Sequence, residues 1–288
     1  MVQRRRAILS IQSQVAYGHV GNSAAVLPLQ RLGFDVFALH TVQLAHHVGY
    51  GSWRGHKLQP EQLLEILDGL EARGVLARCA AVLSGYLGDA GMAEVVARAV
   101  DAVRAARPDA PYLCDPVIGD DGPGVFVSAG VPEAIGDRLV GLADLMLPNR
   151  FELAHLTGRD VRSLEDAREA AAVLRARGPR LVVVTGLALP DRPDELAVLA
   201  DSADESWLVA TPRLPLATGA GTGDAFAALF LGHFLASGEL RAGLERAVAA
   251  MFALVERTFD AAAEELELVG AQDELVDPGR RFPAIRLR

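Results

Sequence analysis

The chain has 288 residues, 51% of them hydrophobic, so it can bury a sizeable core either as one large α/β domain or as two smaller ones. Its 37 acidic residues outnumber 28 basic ones for a net charge of −9, and no basic cluster follows Arg4-Arg5-Arg6, which argues against nucleic-acid binding. Ser10, Gln12 and Gln14 interrupt the apolar run behind those arginines, so no secretory leader is expected. The longest apolar stretch, from Ala225, is broken by Gly232 and His233 before it could span a bilayer. Cys79 and Cys114 have no metal-type spacing and read as buried small hydrophobes in a reducing cytoplasm.

Short apolar runs alternate with helical patterns along most of the chain. Arg6 to Ser13 predicts a strand, and Ser23 to Leu32 a helix capped by Asn22, ended by Gly33 and carrying Pro28 as a candidate kink. A strand at Phe34 to Leu39 precedes a helix at Pro60 to Arg73; Ala80 to Ser84 and Met92 to Ala106 repeat the pair. Tyr112 to Cys114, Val131 to Leu142, Asp144 to Leu147, Glu152 to Leu156, Leu164 to Arg177 and Leu181 to Thr185 continue it. The runs Leu196 to Ala200 and Trp207 to Ala210 flank Asp201-Ser202-Ala203-Asp204-Glu205 and read as an antiparallel hairpin at a sheet edge. This order predicts a doubly wound α/β sandwich on a mostly parallel sheet. No linker, repeat or low-complexity segment divides it, so residues 1–288 are expected to form a single domain.

In such sheets ligands sit at the carboxyl ends of the strands, and polar loops follow several of them here. Ser13 to Ser23 is a glycine-bearing βα loop able to line a small pocket or simply to connect. Gln43 to Gly55 packs His46, His47, Tyr50 and Trp53 among glycines, a composition suited to a flap over a flat ring; adjacent histidines without a third ligand make a poor zinc site. Asp115 ends a strand and Glu152 opens a helix after Pro148-Asn149. Each has an ordinary reading, as turn starter or helix cap, and together they could hold Mg²⁺ through water.

Gly219-Ala220-Gly221-Thr222-Gly223-Asp224 leads into the apolar Ala225 to Leu231. Glycines admit close backbone approach, and the first helical turn leaves N–H groups for an anion. A carboxylate there repels phosphate, so Asp224 is better explained as a base for an attacking hydroxyl. Taken alone, the segment could equally be a helix start after a flexible turn. A P-loop and a dinucleotide fingerprint are both absent.

These residues resemble the pyridoxal kinases of the ribokinase-like superfamily. The resemblance runs through Ser10-Ile11-Gln12-Ser13-Gln14, Tyr17-Gly18-His19-Val20-Gly21-Asn22-Ser23-Ala24-Ala25, His47 with Gly49-Tyr50-Gly51 and Trp53, and Ser84-Gly85-Tyr86-Leu87-Gly88. It continues through Cys114-Asp115-Pro116-Val117, Pro148-Asn149 with Glu152, and Gly221-Thr222-Gly223-Asp224, nearly the whole chain. It implies a three-layer α/β/α sandwich and phosphoryl transfer from ATP to the 5′-hydroxymethyl of pyridoxal, and of pyridoxine and pyridoxamine. Asp224 would be the base, with the Gly221, Thr222 and Gly223 amides on the γ-phosphoryl oxygens. Ser13, Val20, His47, Val48, Trp53 and Tyr86 would surround the vitamer. Asp115, Asn149, Glu152, Thr185, Gly186 and Thr222 would face the nucleotide, with Asp115 and Glu152 organising Mg²⁺ and K⁺ a candidate companion ion. Gln43 to Gly55 and Gly119 to Gly124 would be two covers. A cytoplasmic homodimer is implied, with no nucleic-acid or membrane partner. A hydroxymethylpyrimidine kinase and a non-catalytic vitamin B6 binding protein are the alternatives.

Three positions depart from the family pattern. Val48 replaces a frequent threonine, removing one hydrogen bond worth ~1 kcal/mol. Thr185 stands where one bacterial group has lysine. Leu187 to Glu195, rich in Pro and Asp, has no assigned place.

Overall fold

The computed structural model describes residues 5–217 and 219–287; Arg4 lies outside the described residues. The first strand, β1 (Ala7–Val15), is buried almost throughout, and it encloses Ser10, Gln12 and Ser13 along with its apolar residues. It is followed by α1 (Asn22–Arg31), β2 (Asp35–Leu44), β3 (Gly55–Lys57), α2 (Pro60–Ala72), β4 (Cys79–Ser84), α3 (Met92–Ala106) and β5 (Tyr112–Cys114). A small separate hairpin, β6 (Gly119–Asp120) and β7 (Gly124–Val125), precedes α4 (Val131–Ala134), β8 (Leu145–Met146), α5 (Arg150–Thr157) and α6 (Leu164–Arg175). Then come β9 (Leu181–Leu189), β10 (Arg192–Ser202), β11 (Ser206–Pro212), α7 (Thr222–Ser237), α8 (Leu240–Asp260) and β12 (Ile285–Arg286).

The main sheet runs β12-β11-β10-β9-β8-β5-β4-β1-β2-β3. Its centre, from β9 to β2, is parallel, while β10, β11 and β12 on one side and β3 on the other pair antiparallel. One apolar cluster packs α2, α3 and α6 against one face and another packs α1, α7 and α8 against the opposite face, giving the expected three layers. Every residue from Ala225 to His233 in α7 is buried, so this helix is enclosed rather than amphipathic. Because β1 lies between β2 and β4, the connections leave it in opposite directions. The crevice at its carboxyl end is therefore the switch point where ligands are expected.

Several boundaries differ from expectation for physical reasons. Asn22 is not a cap: Gly21 holds that position, and the Asn22 side chain turns into the sheet, accepting from Ser10 Oγ at 2.7 Å and donating to the Leu39 carbonyl at 2.9 Å. The helix expected at Val131 to Leu142 keeps only its first turn as α, then widens to a π turn and ends as a 3-10 turn. Leu187 to Glu195 forms the end of β9, a turn and the start of β10, so the edge hairpin is longer than its apolar runs. Both cysteines are buried and free.

Candidate active site

The glycine turn before α7 is shaped by a close contact. Gly221 has φ +79, and a Cβ there would lie 1.7 Å from the His19 carbonyl oxygen, so only glycine can seat the turn on the β1–α1 loop. Gly21, with φ +54, abuts β1 in the same way: its Cβ would sit 2.2 Å from Ser13 Oγ. These two approaches gather Ser13, Gly21 and Asp224 at the end of β1. Asp224 is half-buried in the first turn of α7. Burial raises its carboxyl pKa, while a hydrogen bond from the Gly21 backbone pulls the other way. A carboxylate so placed is a stronger base than one in water. Thr222 closes the turn: its hydroxyl donates to the Gly219 carbonyl at 2.7 Å and its amide reaches the same oxygen at 3.2 Å. Gly223 is exposed at the mouth.

Two further carboxylates converge from neighbouring strands. Asp115, just past β5, is 5% exposed, and its Oδ2 has no hydrogen-bond partner although it is buried. That oxygen lies 3.9 Å from where a Gly223 Cβ would be, which puts Asp115 beside the α7 turn. Burial first, then the charges of Glu152 and Asp224, push its carboxyl well above the usual range. Glu152 is satisfied: its Oε1 accepts from the Ile118 amide at 2.9 Å and the Gly119 amide at 3.5 Å, and its Oε2 from the Asn149 amide at 2.9 Å. Burial lifts its pKa to about 8 against the pull of those three donors. Asn149 caps α5, accepting from the Glu152 amide at 2.8 Å and donating to the Gly119 carbonyl at 2.8 Å. It also bridges Thr185 in parallel register, with half-buried Thr185 and exposed Gly186 at the end of the same crevice. Among the described residues no group of three or more His, Cys, Asp and Glu side chains is arranged to hold a metal directly.

On the other side of the crevice, Val20 and Tyr86 pack with Val15, Val42 and Leu44 into a small apolar cluster beside Ser13. The flap reaches over from β2 to β3, its ends tied by the Ala45 amide to the Arg54 carbonyl at 2.8 Å. His47 is half-buried and packs on Tyr50 at 4.4 Å between ring centres. Val48 and Trp53 are not brought against the cluster: they stay 40% and 48% exposed on the flap surface.

One functional candidate has no local signal in the sequence. Glu265, beyond α8, accepts from the His19 amide at 2.9 Å and from the Tyr50 hydroxyl at 2.7 Å, with His47 Nε2 at 3.8 Å. It borders a cavity of about 350 Å³ lined also by Tyr17, His19, Leu266 and Val269. Its partners lie more than 200 positions upstream, so only the folded chain reveals it.

A sequence model described as phosphomethylpyrimidine kinase matches residues 59–267, well over half of the chain. That match leaves out the β1–α1 loop and the flap. Two curated relatives cover the whole: a pyridoxal kinase PdxY of Rubrobacter xylanophilus is 49% identical over 282 residues, 97% of each chain, and one of Deinococcus radiodurans is 49% identical over 288 residues, 98% and 97%. Among solved structures, a pyridoxal kinase from Leishmania donovani in complex with ADP and pyridoxine superposes with a TM-score of 0.91 at 34% identity, covering 98% of this chain and 99% of that one.

Proposed function

The chain belongs to the pyridoxal kinases, and on that premise we propose how its residues divide the work. It is an ATP-dependent phosphotransferase acting on the 5′-hydroxymethyl group of pyridoxal. The observation that carries the division is the seat of Asp224, in the first turn of α7 behind a glycine turn and hydrogen-bonded from the loop that borders the acceptor pocket.

Asp224 takes the hydroxyl proton as the 5′ oxygen bonds to the γ-phosphorus. The bond from that phosphorus to the β–γ bridging oxygen breaks, and ADP departs with the electron pair. An alcohol is too weak an acid to ionise first, so proton transfer comes late. Amides of Gly221, Thr222 and Gly223 face the oxygens on which charge gathers. Thr222 must release the Gly219 carbonyl to do so, and its long 3.2 Å amide contact makes that release inexpensive. Ser13, Val20, Tyr86 and His47 orient the ring; Val48 and Trp53 join them when the flap descends and excludes water that would otherwise hydrolyse the γ-phosphate. Asn149, Thr185 and Gly186 lie on the nucleotide side.

The unpartnered, buried oxygen of Asp115, facing two other carboxylates, fits a divalent cation. Asp115 would hold Mg²⁺, and Glu152 would reach it through water because backbone amides already engage its oxygens. When bound, the ion would neutralise charge on the triphosphate. Assays in K⁺ against Na⁺ test the monovalent requirement.

The continuous main sheet supports residues 1–288 as one kinase unit. Family resemblance supports a homodimer, which sedimentation tests, and a cytoplasmic site of action. No described helix is long and apolar enough to cross a membrane.

Pyridoxine and pyridoxamine are proposed as further acceptors. A hydroxymethylpyrimidine kinase is the second reading, favoured by the description of the family model over residues 59–267. Steady-state assays decide: kcat/KM greater for pyridoxal is the expected result, and a large preference for hydroxymethylpyrimidine overturns it. Pyridoxal binding without ATP consumption in Mg²⁺ and K⁺ would instead indicate a binding protein.

A further inference from the structure

The contacts of Glu265 join three segments far apart in sequence. Its Oε2 accepts from the His19 amide in the loop that seats Gly221, and its Oε1 accepts from the Tyr50 hydroxyl at the flap tip. A Cβ on Gly18 would come within 2.6 Å of the same carboxyl carbon, so the loop is built tightly around this side chain. Only 12% of the Glu265 side chain is exposed, and His47 Nε2, buried and otherwise unpartnered, lies 3.8 Å from Oε1. We propose that Glu265 is a positioning residue that latches the flap to the β1–α1 loop, fixing His47 over the acceptor pocket in register with Asp224. This inference rests on the acceptor-side reading above.

A carboxylate serves both donors at once, one a backbone N–H and one a phenol; glutamine would turn its one acceptor to the amide and offer the phenol oxygen only its NH₂, a weaker, neutral bond. The Glu265 hydrogen bond, and then burial, raise the Tyr50 phenol further above its ordinary value, so it remains the donor. Tyr50 also rests on His46 and His47 through ring contacts at 5.3 and 4.4 Å, which Tyr50→Phe would retain. That variant therefore removes the latch bond and little else. Glu265 touches neither the Asp224 carboxyl nor the α7 turn by any contact described above. Its loss should consequently act on acceptor binding before it acts on turnover.

The test pairs kinetics with a readout that needs no substrate. Glu265→Gln and Tyr50→Phe should each raise KM for pyridoxal by about fivefold to tenfold, the span for one partly exposed hydrogen bond to a charged acceptor, with KM for ATP unchanged. The double variant should be no worse than the worse single one, because both substitutions weaken the same Glu265–Tyr50 bond. Exposed Arg54 at the flap end provides a trypsin site, and both variants should be cut there faster than the wild type, as read by mass spectrometry. Effects on KM that multiply in the double variant, or unchanged KM and unchanged cleavage at Arg54, would overturn the latch. If Glu265→Gln does not fold, Tyr50→Phe alone decides: unchanged cleavage rejects the proposal. If cleavage accelerates as expected while the wild type fails to phosphorylate pyridoxal, the acceptor reading falls and the latch stands.

Discussion

Replacing Gly221 by alanine tests whether the glycine turn before α7 and the β1–α1 loop are one mechanical unit. The substitution meets two separate costs. Holding alanine at φ +79 costs ~1–2 kcal/mol, since its Cβ crowds the following carbonyl. The new Cβ would also lie 1.7 Å from the His19 carbonyl oxygen, where ordinary contact begins at 3.4 Å, so the loop must retreat by about 1.7 Å. Forcing an extra methyl into packed surroundings adds ~1–3 kcal/mol. A combined loss of ~3 kcal/mol should lower Tm by roughly 6–12 °C in a chain of this size. Gly33→Ala is the control, with φ +90 and open space around the added methyl. It should lose stability through backbone strain alone and keep full activity. Gly221→Ala should also lose about 10²-fold in kcat, because the retreating loop carries the Gly21 amide away from Asp224. Calorimetry and steady-state kinetics on both variants check this. Equal Tm losses together with wild-type kcat in Gly221→Ala would refute the reasoning.

Other outcomes follow from the carboxylates. Asp224→Asn should cut kcat by roughly 10²- to 10⁴-fold with nucleotide affinity little changed, and unaltered turnover would remove Asp224 as the base. Because burial raises the Asp224 pKa and the base works ionised, kcat/KM for pyridoxal should fall as pH drops through a limb above the ordinary carboxylate range. A pH–rate profile whose acid limb sits at about 4 would contradict that placement. Asp115→Asn should leave the Tm of the metal-free protein unchanged or higher, since it replaces a buried acid crowded by two other carboxyl groups with a neutral amide. It should also raise the Mg²⁺ concentration for half-maximal rate by at least roughly tenfold in a titration at fixed ATP. Glu152→Gln should cost ~1–3 kcal/mol in denaturant unfolding, because three backbone N–H groups lose one of their acceptors; unchanged stability would mean the amides find water instead.

The parts of the fold legible in the sequence were those with local causes. β4 and the first four residues of β9, Leu181 to Val184, are enclosed on both faces and appear as unbroken apolar runs, and the glycine turn before Asp224 carries its own conformational signature. The short strand β3 was not legible: Gly55, His56 and Lys57 are exposed, and they form a strand only because Val42 to Leu44 offers a free edge. The Asn22 side chain forsook its expected capping role for Ser10 and Leu39, partners the sequence cannot place beside it. The 21-residue helix α8 is a different case, because its buried Leu240, Leu244, Ala247 and Val248 recur at helical spacing, a local signal that the expected elements do not include. For the site, the residue types at the strand ends were visible. Their allegiances were not: Glu152 and Asn149 spend polar atoms on each other's backbone amides and on the backbone at Ile118 and Gly119, and Glu265 binds loops more than 200 residues away.

The flap leaves and rejoins the sheet at one point, with Leu44 opposite Gly55 in the antiparallel pairing of β2 and β3. Its ends are therefore fixed by the sheet whatever its tip contains. Changes in the length or composition of the tip cost little closure entropy and touch neither apolar core. The tip can thus be redesigned as a separable module that leaves the residues proposed for phosphoryl transfer on α7 in place.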